Sequence, residues 1–218
     1  MSGAVIFDMD GVIIDSEPLW RIAMVKVFNA SGLPIDDVSC AATTGMRIDE
    51  VIKHWNKQHP FTNDELKVQQ HIEEELCDLI RAQGKAMPGF METAKLLKKD
   101  HIKTALATSS SMKLVSCVLE TLELKDFFLH TQSAESLDYG KPHPEVFLRS
   151  ARALDVAPAQ CVAIEDSLNG IISAKAAGMK VIAVPEEKNK QNPKFVIADL
   201  VLHSLEEFNL GLLEKLYA

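Results

Sequence analysis

The 218-residue sequence is poor in cysteine, and the little it has is dispersed. Cys40, Cys77, Cys117 and Cys161 form no Cys-x-x-Cys pair, which removes the spacing of a structural zinc site and the framework of a disulfide-stapled domain. Reduced, buried thiols are expected instead. The seven histidines contain no His-x-x-x-His grouping, so a zinc enzyme of that kind has no ligands. Basic charge is also scarce: 23 Lys and Arg face 31 Asp and Glu, a formal net charge of -8. With no basic excess to displace counterions, nucleic acid and anionic membrane are excluded as general partners. An anionic ligand must therefore meet a local pocket of positive charge. No apolar run approaches the ~18 residues that span a bilayer, and residues 1–7 lack the basic start and long apolar stretch of a targeting segment. The chain reads as cytoplasmic, with a monomer as the default state.

What is present is ordinary globular material, 47% apolar and 25% charged, enough for one domain with an inserted subdomain. Short apolar runs at Ala4–Phe7 and at residues 104–107, 161–164 and 181–184 alternate with helical patterns. That rhythm predicts an α/β fold, a doubly wound, Rossmann-like parallel sheet with ligands at the carboxyl ends of its strands. Between Pro18 and Lys85 about 65 residues show helical periodicity and no strand, which predicts an all-helical insertion. Its clearest helix opens with Thr62 and Glu65 at capping-box spacing and carries Ile72, Leu76, Leu79 and Ile80 on one face. The acidic residues 73–75 are expected to solvate the other face. Asp15-Ser16-Glu17-Pro18 and the stretch 83–89 have the composition of the outgoing and returning linkers. The predicted division is 1–16 with 86–218 as the core and 17–85 as the insertion.

Chemistry gathers at the strand ends. The first run delivers Phe7-Asp8-Met9-Asp10-Gly11, two carboxylates two positions apart. A calcium loop is excluded, because Val12 stands where a further ligand is needed. Thr108-Ser109 precedes a helix, where hydroxyls and free N–H groups make an anion site. Lys141, in Gly140-Lys141-Pro142-His143-Pro144, is biased to an extended backbone by Pro142 and can reach inward. Glu165-Asp166 closes a third run and suits a hard, oxygen-liganded cation such as Mg²⁺. Singly these have bland readings as a turn, a helix cap, a surface lysine and a polar helix start. Together they place carboxylates, hydroxyls, a lysine and an acidic pair along one sheet edge.

These motifs, with Ile164-Glu165-Asp166-Ser167 through Gly170 and Ala176-Ala177-Gly178-Met179, resemble the haloacid dehalogenase-like superfamily in its branch of sugar-phosphate phosphatases and β-phosphoglucomutases. The likeness runs over essentially the whole chain, and Asp15-Ser16-Glu17-Pro18-Leu19-Trp20 resembles bacterial 2-deoxyglucose-6-phosphate and hexitol phosphatases in particular. The resemblance implies a Mg²⁺-dependent phosphatase of small sugar phosphates, with Asp8 as nucleophile and Asp10 as general acid and base. It implies metal ligation by Asp8, Asp10, Glu165 and Asp166, the last acidic pair with Glu165 close or bound through water. Phosphate would be held by the loop Asp8, Met9, Asp10 and by Thr108, Ser109 and Lys141. The insertion becomes a cap offering Glu17, Trp20, Gly45 and Arg47 to the sugar, although Arg47 also fits an ordinary ion pair and Trp20 a core position. The nearest alternative is a β-phosphoglucomutase, whose family members place a histidine where this chain has Trp20. A haloacid dehalogenase does not use a second aspartate like Asp10, and a phosphonatase needs a cap lysine that neither Lys53 nor Lys57 marks out. From a different class, a phospho-accepting receiver shares the Asp, hydroxyl and Lys but lacks the insertion, and a silent binding module would not need every chemical position filled.

Overall fold

The computed structural model describes residues 3–41, 43, 46–60 and 64–217. Six parallel strands, β1 (Ala4–Phe7), β2 (Lys103–Thr108), β3 (His130–Ser133), β4 (Cys161–Glu165), β5 (Lys180–Ala183) and β6 (Leu200–Val201), form one sheet in the order β3-β2-β1-β4-β5-β6. The chain leaves β1 first toward β2 and later returns beside it as β4, so the topological switch point lies between β1 and β4. Ligands bind in the crevice that such a reversal opens. The inner strands are near-continuous apolar runs buried on both faces, as a parallel sheet covered by helices on each side demands.

Side chains alternate across β1. Val5 and Phe7 face a core shared with α5 (Phe90–Lys99) and α6 (Met112–Thr121). Ala4 and Ile6 face a second core with α7 (Glu145–Ala153) and α8 (Leu168–Ala176). The helix α9 (Leu210–Tyr217) joins the first of these through Leu213. Two strands were not among the four apolar runs. β3 reads His-Thr-Gln-Ser and β6 has two residues, and both lie at sheet edges, where one flank is open and an apolar run is not required.

Among the described residues, four helices occupy the stretch between β1 and α5: α1 (Glu17–Ala30), α2 (Asp37–Ala41), α3 (Ile48–Gln58) and α4 (Glu65–Gln83). Glu17 and Pro18 already lie in the first turn of α1, where proline is well tolerated, and so are not linker. Thr62 lies outside the described residues; α4 is capped by Asp64, whose side chain accepts from the Leu66 N–H at 3.0 Å. Ile72, Leu76 and Ile80 are buried as expected, but so is Glu73, 5% exposed and accepting from Gln69 Nε2 at 3.0 Å. The cause is that α4 packs on α1 and α3 and also on α6, leaving too narrow a solvent face for three successive glutamates. Only Glu74 and Glu75 reach outward, to Lys113 and Lys26. The two connections to this layer run side by side: the Asp15 N–H donates to the Lys85 carbonyl at 3.0 Å, and the Met87 N–H to that of Ile13 at 2.9 Å.

Beneath β1 the rings of Phe7, Phe90, Phe127 and Phe128 meet edge to face, with Phe7 and Phe90 centroids 5.6 Å apart at 85°. Such pairs add to the burial of each ring. Phe90 is fully buried, so Phe90→Ala should cost about 3–5 kcal/mol of unfolding free energy, read from the shift of the urea midpoint at unchanged slope.

Candidate active site

β1 and β4 are paired with Phe7 opposite Ile164, so the residues that follow them emerge together at the switch point. Asp8 is anchored there by its N–H, which donates to the Ile164 carbonyl at 3.0 Å. The chain then turns tightly: the Met9 carbonyl accepts from the N–H groups of Ile13 at 2.8 Å and Ile14 at 3.2 Å. The Met9 side chain is 1% exposed and belongs to the core, so it can meet a ligand only through its main chain. Gly11 has φ +74, and a Cβ there would overlap the Asp166 carboxylate. Glycine is therefore needed both for the turn and for the approach of the two loops.

Lys141 is 4% exposed, and its ammonium lies 2.5 Å from Asp8 Oδ1, 2.5 Å from Glu165 Oε1 and 3.0 Å from the Ala107 carbonyl. Glu165 is wholly buried, and its other oxygen accepts from the N–H groups of Asp166 and Ser167 and from Ser167 Oγ, each at 3.1 Å. Both Glu165 oxygens are thus engaged. The carboxylate lies against Gly170, where a Cβ would overlap it. Asp166, by contrast, has no hydrogen bond to its side chain among the described residues, and its carboxylate oxygens come within 4.8 Å of those of Asp8 and Glu165.

Asp10 is held on both oxygens. Oδ1 accepts from Ser16 Oγ at 2.5 Å and Trp20 Nε1 at 3.0 Å, and Oδ2 from Ser110 Oγ at 2.6 Å. Ser16 stands at the N-cap position of α1 but makes no cap bond, because its hydroxyl is turned to Asp10. Trp20 is accordingly neither plain core nor free, since it lines the pocket and binds Asp10. Thr108 Oγ1 accepts from the Ser110 N–H at 3.0 Å, and it is Ser111, not Thr108 or Ser109, that caps α6.

These groups open into a cavity of about 360 Å³ whose floor includes Asp8, Asp10, Thr108, Ser109, Lys141 and Asp166. Glu17, Trp20 and Arg47 line its helical side; Gly45 lies outside the described residues. Arg47 is committed elsewhere, with Nε and Nη2 at 2.6 and 2.9 Å from the two Asp49 oxygens and Nη1 donating to the carbonyls of Ala134 and Leu137. Of its two sequence readings, the geometry realises the ion pair. Sequence reasoning missed Ser16 and Ser110 as partners of Asp10, Arg21 on the helical wall, and the whole opposite wall from the segment after β5, including Glu186, Lys188 and Asn189. No local pattern marked that segment; its two short 3₁₀ turns carry no apolar periodicity.

Burial and like charge dominate the electrostatics. Desolvation pushes Asp8 up to about 7; Lys141 pulls it down, and the charges of Glu165 and Asp10 raise it further. Asp166 is raised well above the usual carboxylate range by desolvation, Glu165, Asp8 and Glu186. For Lys141, burial works against the charge, but Asp8 and Glu165 overcome it and hold the ammonium above an ordinary lysine. Glu17 rises to about 7 through burial and the neighbouring Glu186. One ammonium thus faces three converging carboxylates, an all-oxygen, under-neutralised set that fits a hard divalent cation. Asp8 and Asp166 are the carboxylates with room for it.

Fold and pocket together define a doubly wound α/β protein with an acidic, cation-seeking centre at its switch point beneath a helical layer. The chain belongs to the haloacid dehalogenase-like hydrolases, a family that matches residues 3–178. It is 39% identical over 206 residues to hexitol phosphatase B of Escherichia coli (strain K12), covering 94% of this chain and 93% of that one. It is 30% identical to the β-phosphoglucomutase of Bacillus subtilis (strain 168), covering 97% and 94%. The crystal structure of CbbY from Rhodobacter sphaeroides in complex with phosphate superposes with a TM-score of 0.87 at 26% identity, over 95% of this chain and 96% of that one. No helix among the described residues is long and apolar enough to cross a membrane.

The carboxyl of Asp8 titrates near 7 in the folded chain and near 3.8 when unperturbed. Between those values the folded state keeps a proton that the unfolded state has lost, so metal-free stability should fall as pH rises through that window. A divalent cation competes with the same proton. Excess magnesium or manganese chloride should raise the melting temperature more at about pH 8 than at about pH 5.5, and equal increments at the two would contradict this account of the cluster.

Proposed function

We propose that the protein is a Mg²⁺-dependent phosphatase of small sugar phosphates, hexose or hexitol monophosphates such as 2-deoxyglucose 6-phosphate, that carries the phosphoryl group on Asp8. The observation behind this is the Asp8 carboxylate at the switch point, fixed on one oxygen by buried Lys141 and open toward a cavity of sugar size. The names of the related hexitol phosphatase and β-phosphoglucomutase support a sugar phosphate as substrate. Residues 1–16 and 86–218 act as the catalytic core, and 17–85 as the cap that shelters it from water. The enzyme works as a cytoplasmic monomer, a setting with which its four buried cysteines, none of them in a disulfide, agree.

Lowering the barrier of phosphate-ester hydrolysis by ~20 kcal/mol calls for positioning and charge rather than unusual reactivity. Asp8 Oδ1 is bound to Lys141, so Oδ2 attacks phosphorus, the ester P–O bond breaks, and an acyl phosphate remains on Asp8. Lys141, the Thr108 hydroxyl and the Ser109 N–H hold the non-bridging oxygens; Thr108 Oγ1 accepts from Ser110 and keeps its own proton to donate. Asp8, the Asp10 main-chain carbonyl and Asp166 would hold the divalent ion, with Glu165 close or bound through water, and the ion would supply positive charge that screens Asp8 from a phosphate dianion.

Asp10 moves the protons. It protonates the departing sugar oxygen, then takes a proton from the water that attacks phospho-Asp8, releasing phosphate and restoring both carboxyls. Trp20 Nε1 can only donate, whereas a serine hydroxyl can rotate and accept. A proton that Asp10 carries for the leaving group therefore belongs on Oδ2, where Ser110 Oγ can turn to accept it, while Oδ1 stays an acceptor for Trp20. An indole cannot exchange donor for acceptor as the mutase histidine can, which favours the phosphatase over the mutase.

Phosphate release from a panel of sugar phosphates, with and without Mg²⁺, tests the assignment. Asp8→Asn should lower kcat by about 10³-fold or more; a variant with full Mg²⁺-dependent turnover would refute it. With glucose 1-phosphate the products should be glucose and phosphate, and accumulation of glucose 6-phosphate would mark a mutase.

A further inference from the structure

Where α4 of the helical layer packs on α6 of the core, the two helices run in step. Glu74 and Lys113 bridge them at 3.6 Å, and about one turn further along each helix stand Cys77 and Cys117. The Cys117 thiol donates to the Cys77 carbonyl at 3.4 Å, between residues 40 apart in the chain. Both side chains are 2% exposed and belong to the cluster in which Ile72 and Leu76 meet Leu114, Val115 and Val118. Burial first, and then the neighbouring Cys117, push the Cys77 thiol up to about 12.

One thiol thus stands on each side of a dry seam between the helical layer and the core, which is the placement a disulfide across that seam requires. Cys40 and Cys161 lie on α2 and β4. With the layer seated, burial keeps the Cys77 thiol protonated at neutral pH, and an oxidant finds a thiolate there when α4 lifts and water reaches the sulfur. Because α4 runs directly into the returning connection at residues 83–89, a bond at Cys77 ties down a helix that must move if the layer is to lift. Lids that open to admit substrate and release product set the pace of many turnovers.

Resting on the phosphatase reading for its effect on turnover, we propose that Cys77 and Cys117 are an oxidation site, at which a peroxide forms a disulfide that staples the helical layer to the core and slows the enzyme. The thiolate of one cysteine attacks a peroxide oxygen, the O–O bond breaks and water leaves, giving a sulfenic acid. The second thiol attacks that sulfur, the S–O bond breaks and a second water leaves. Two thiols and one hydrogen peroxide become one disulfide and two waters, with two electrons passing from sulfur to oxygen. A dithiol reductant reverses the link by exchange.

The test takes Mg²⁺-loaded protein, first reduced with dithiothreitol and then freed of it, treats it with hydrogen peroxide and maps its peptides by mass spectrometry without reduction. The peptides carrying Cys77 and Cys117 should be joined and the melting temperature should rise by about 5–10 °C. Phosphate release from sorbitol 6-phosphate should fall by about tenfold, and dithiothreitol should reverse all three changes. Cys77→Ala and Cys117→Ala should form no such link and keep their turnover in peroxide; if one fails to fold, the other carries the comparison. A wild type without this link, a link that leaves turnover as in the reduced protein, or an equal loss of turnover in the variants, as methionine oxidation would give, overturns the inference and leaves the phosphatase reading standing. No release by the reduced protein from any sugar phosphate overturns that reading instead, and the peptide map and melting curve then decide the staple by themselves.

Discussion

An ammonium held between two carboxylates in a dry crevice constrains the rest of this molecule. Lys141 is 4% exposed, within 2.5 Å of both Asp8 and Glu165. Removing three ions from water is costly unless their partners are close and every remaining polar atom is satisfied. Several features follow from that requirement. β1 and β4 must be neighbours in register, so that Asp8 and Glu165 leave the sheet together. The start of α8 must present its N–H groups to Glu165, which otherwise would hold an unpaired lone pair in the core. Residues 11 and 170 must lack a side chain, since each carries a carboxylate where Cβ would be. The cluster still keeps one carboxylate more than its single lysine and the helix terminus can satisfy. That residue of negative charge is a reason for the site to seek a cation, and it sits where an anionic substrate must also come.

The helical layer answers a different need. Its apolar face is continuous with the core beneath it: Ile72 and Leu76 of α4 share one cluster with Leu114, Val115 and Val118 of α6. α6 begins directly after the Thr108–Ser110 loop, so the layer is seated on an element whose amino end borders the cavity. Arg47 adds a polar tie, reaching from the start of α3 to carbonyls in the loop that leads to Lys141. Hydrophobic contact is broad and undirected, whereas these two hydrogen bonds specify a position. The layer is therefore both held down and aligned over the floor.

The architecture and the floor of the pocket were legible in the sequence because each part has a local signature. Buried parallel strands are unbroken apolar runs, and Asp8, Asp10, Thr108, Lys141, Glu165 and Asp166 each follow such a run or stand beside proline. What was not legible depends on contacts between distant positions. Ser110 and Ser16 meet Asp10 from 100 and 6 residues away, and a serine beside a helix start reads as a cap until its hydroxyl is seen turned elsewhere. β3 and β6 escaped because an edge strand need not be apolar. Glu73 was misplaced because helical periodicity counts faces but not neighbours, and α4 has neighbours on two sides. Arg47 stayed ambiguous because one residue type serves an ion pair and a ligand contact equally well.

The floor and the walls of the cavity are built from different kinds of element. The groups proposed to react stand on strand ends or on loops tied to them, such as the turn closed through the Met9 carbonyl, where small displacements would be most damaging. The other lining groups come from the start of α1 and from the segment after β5, with its short 3₁₀ turns. A substitution on that wall alters the charge around a ligand, and at Glu186 it also alters the field at Asp166. The floor is constrained by buried charge and the wall is not, so a change on the wall can alter what the cavity accepts while the floor stays fixed.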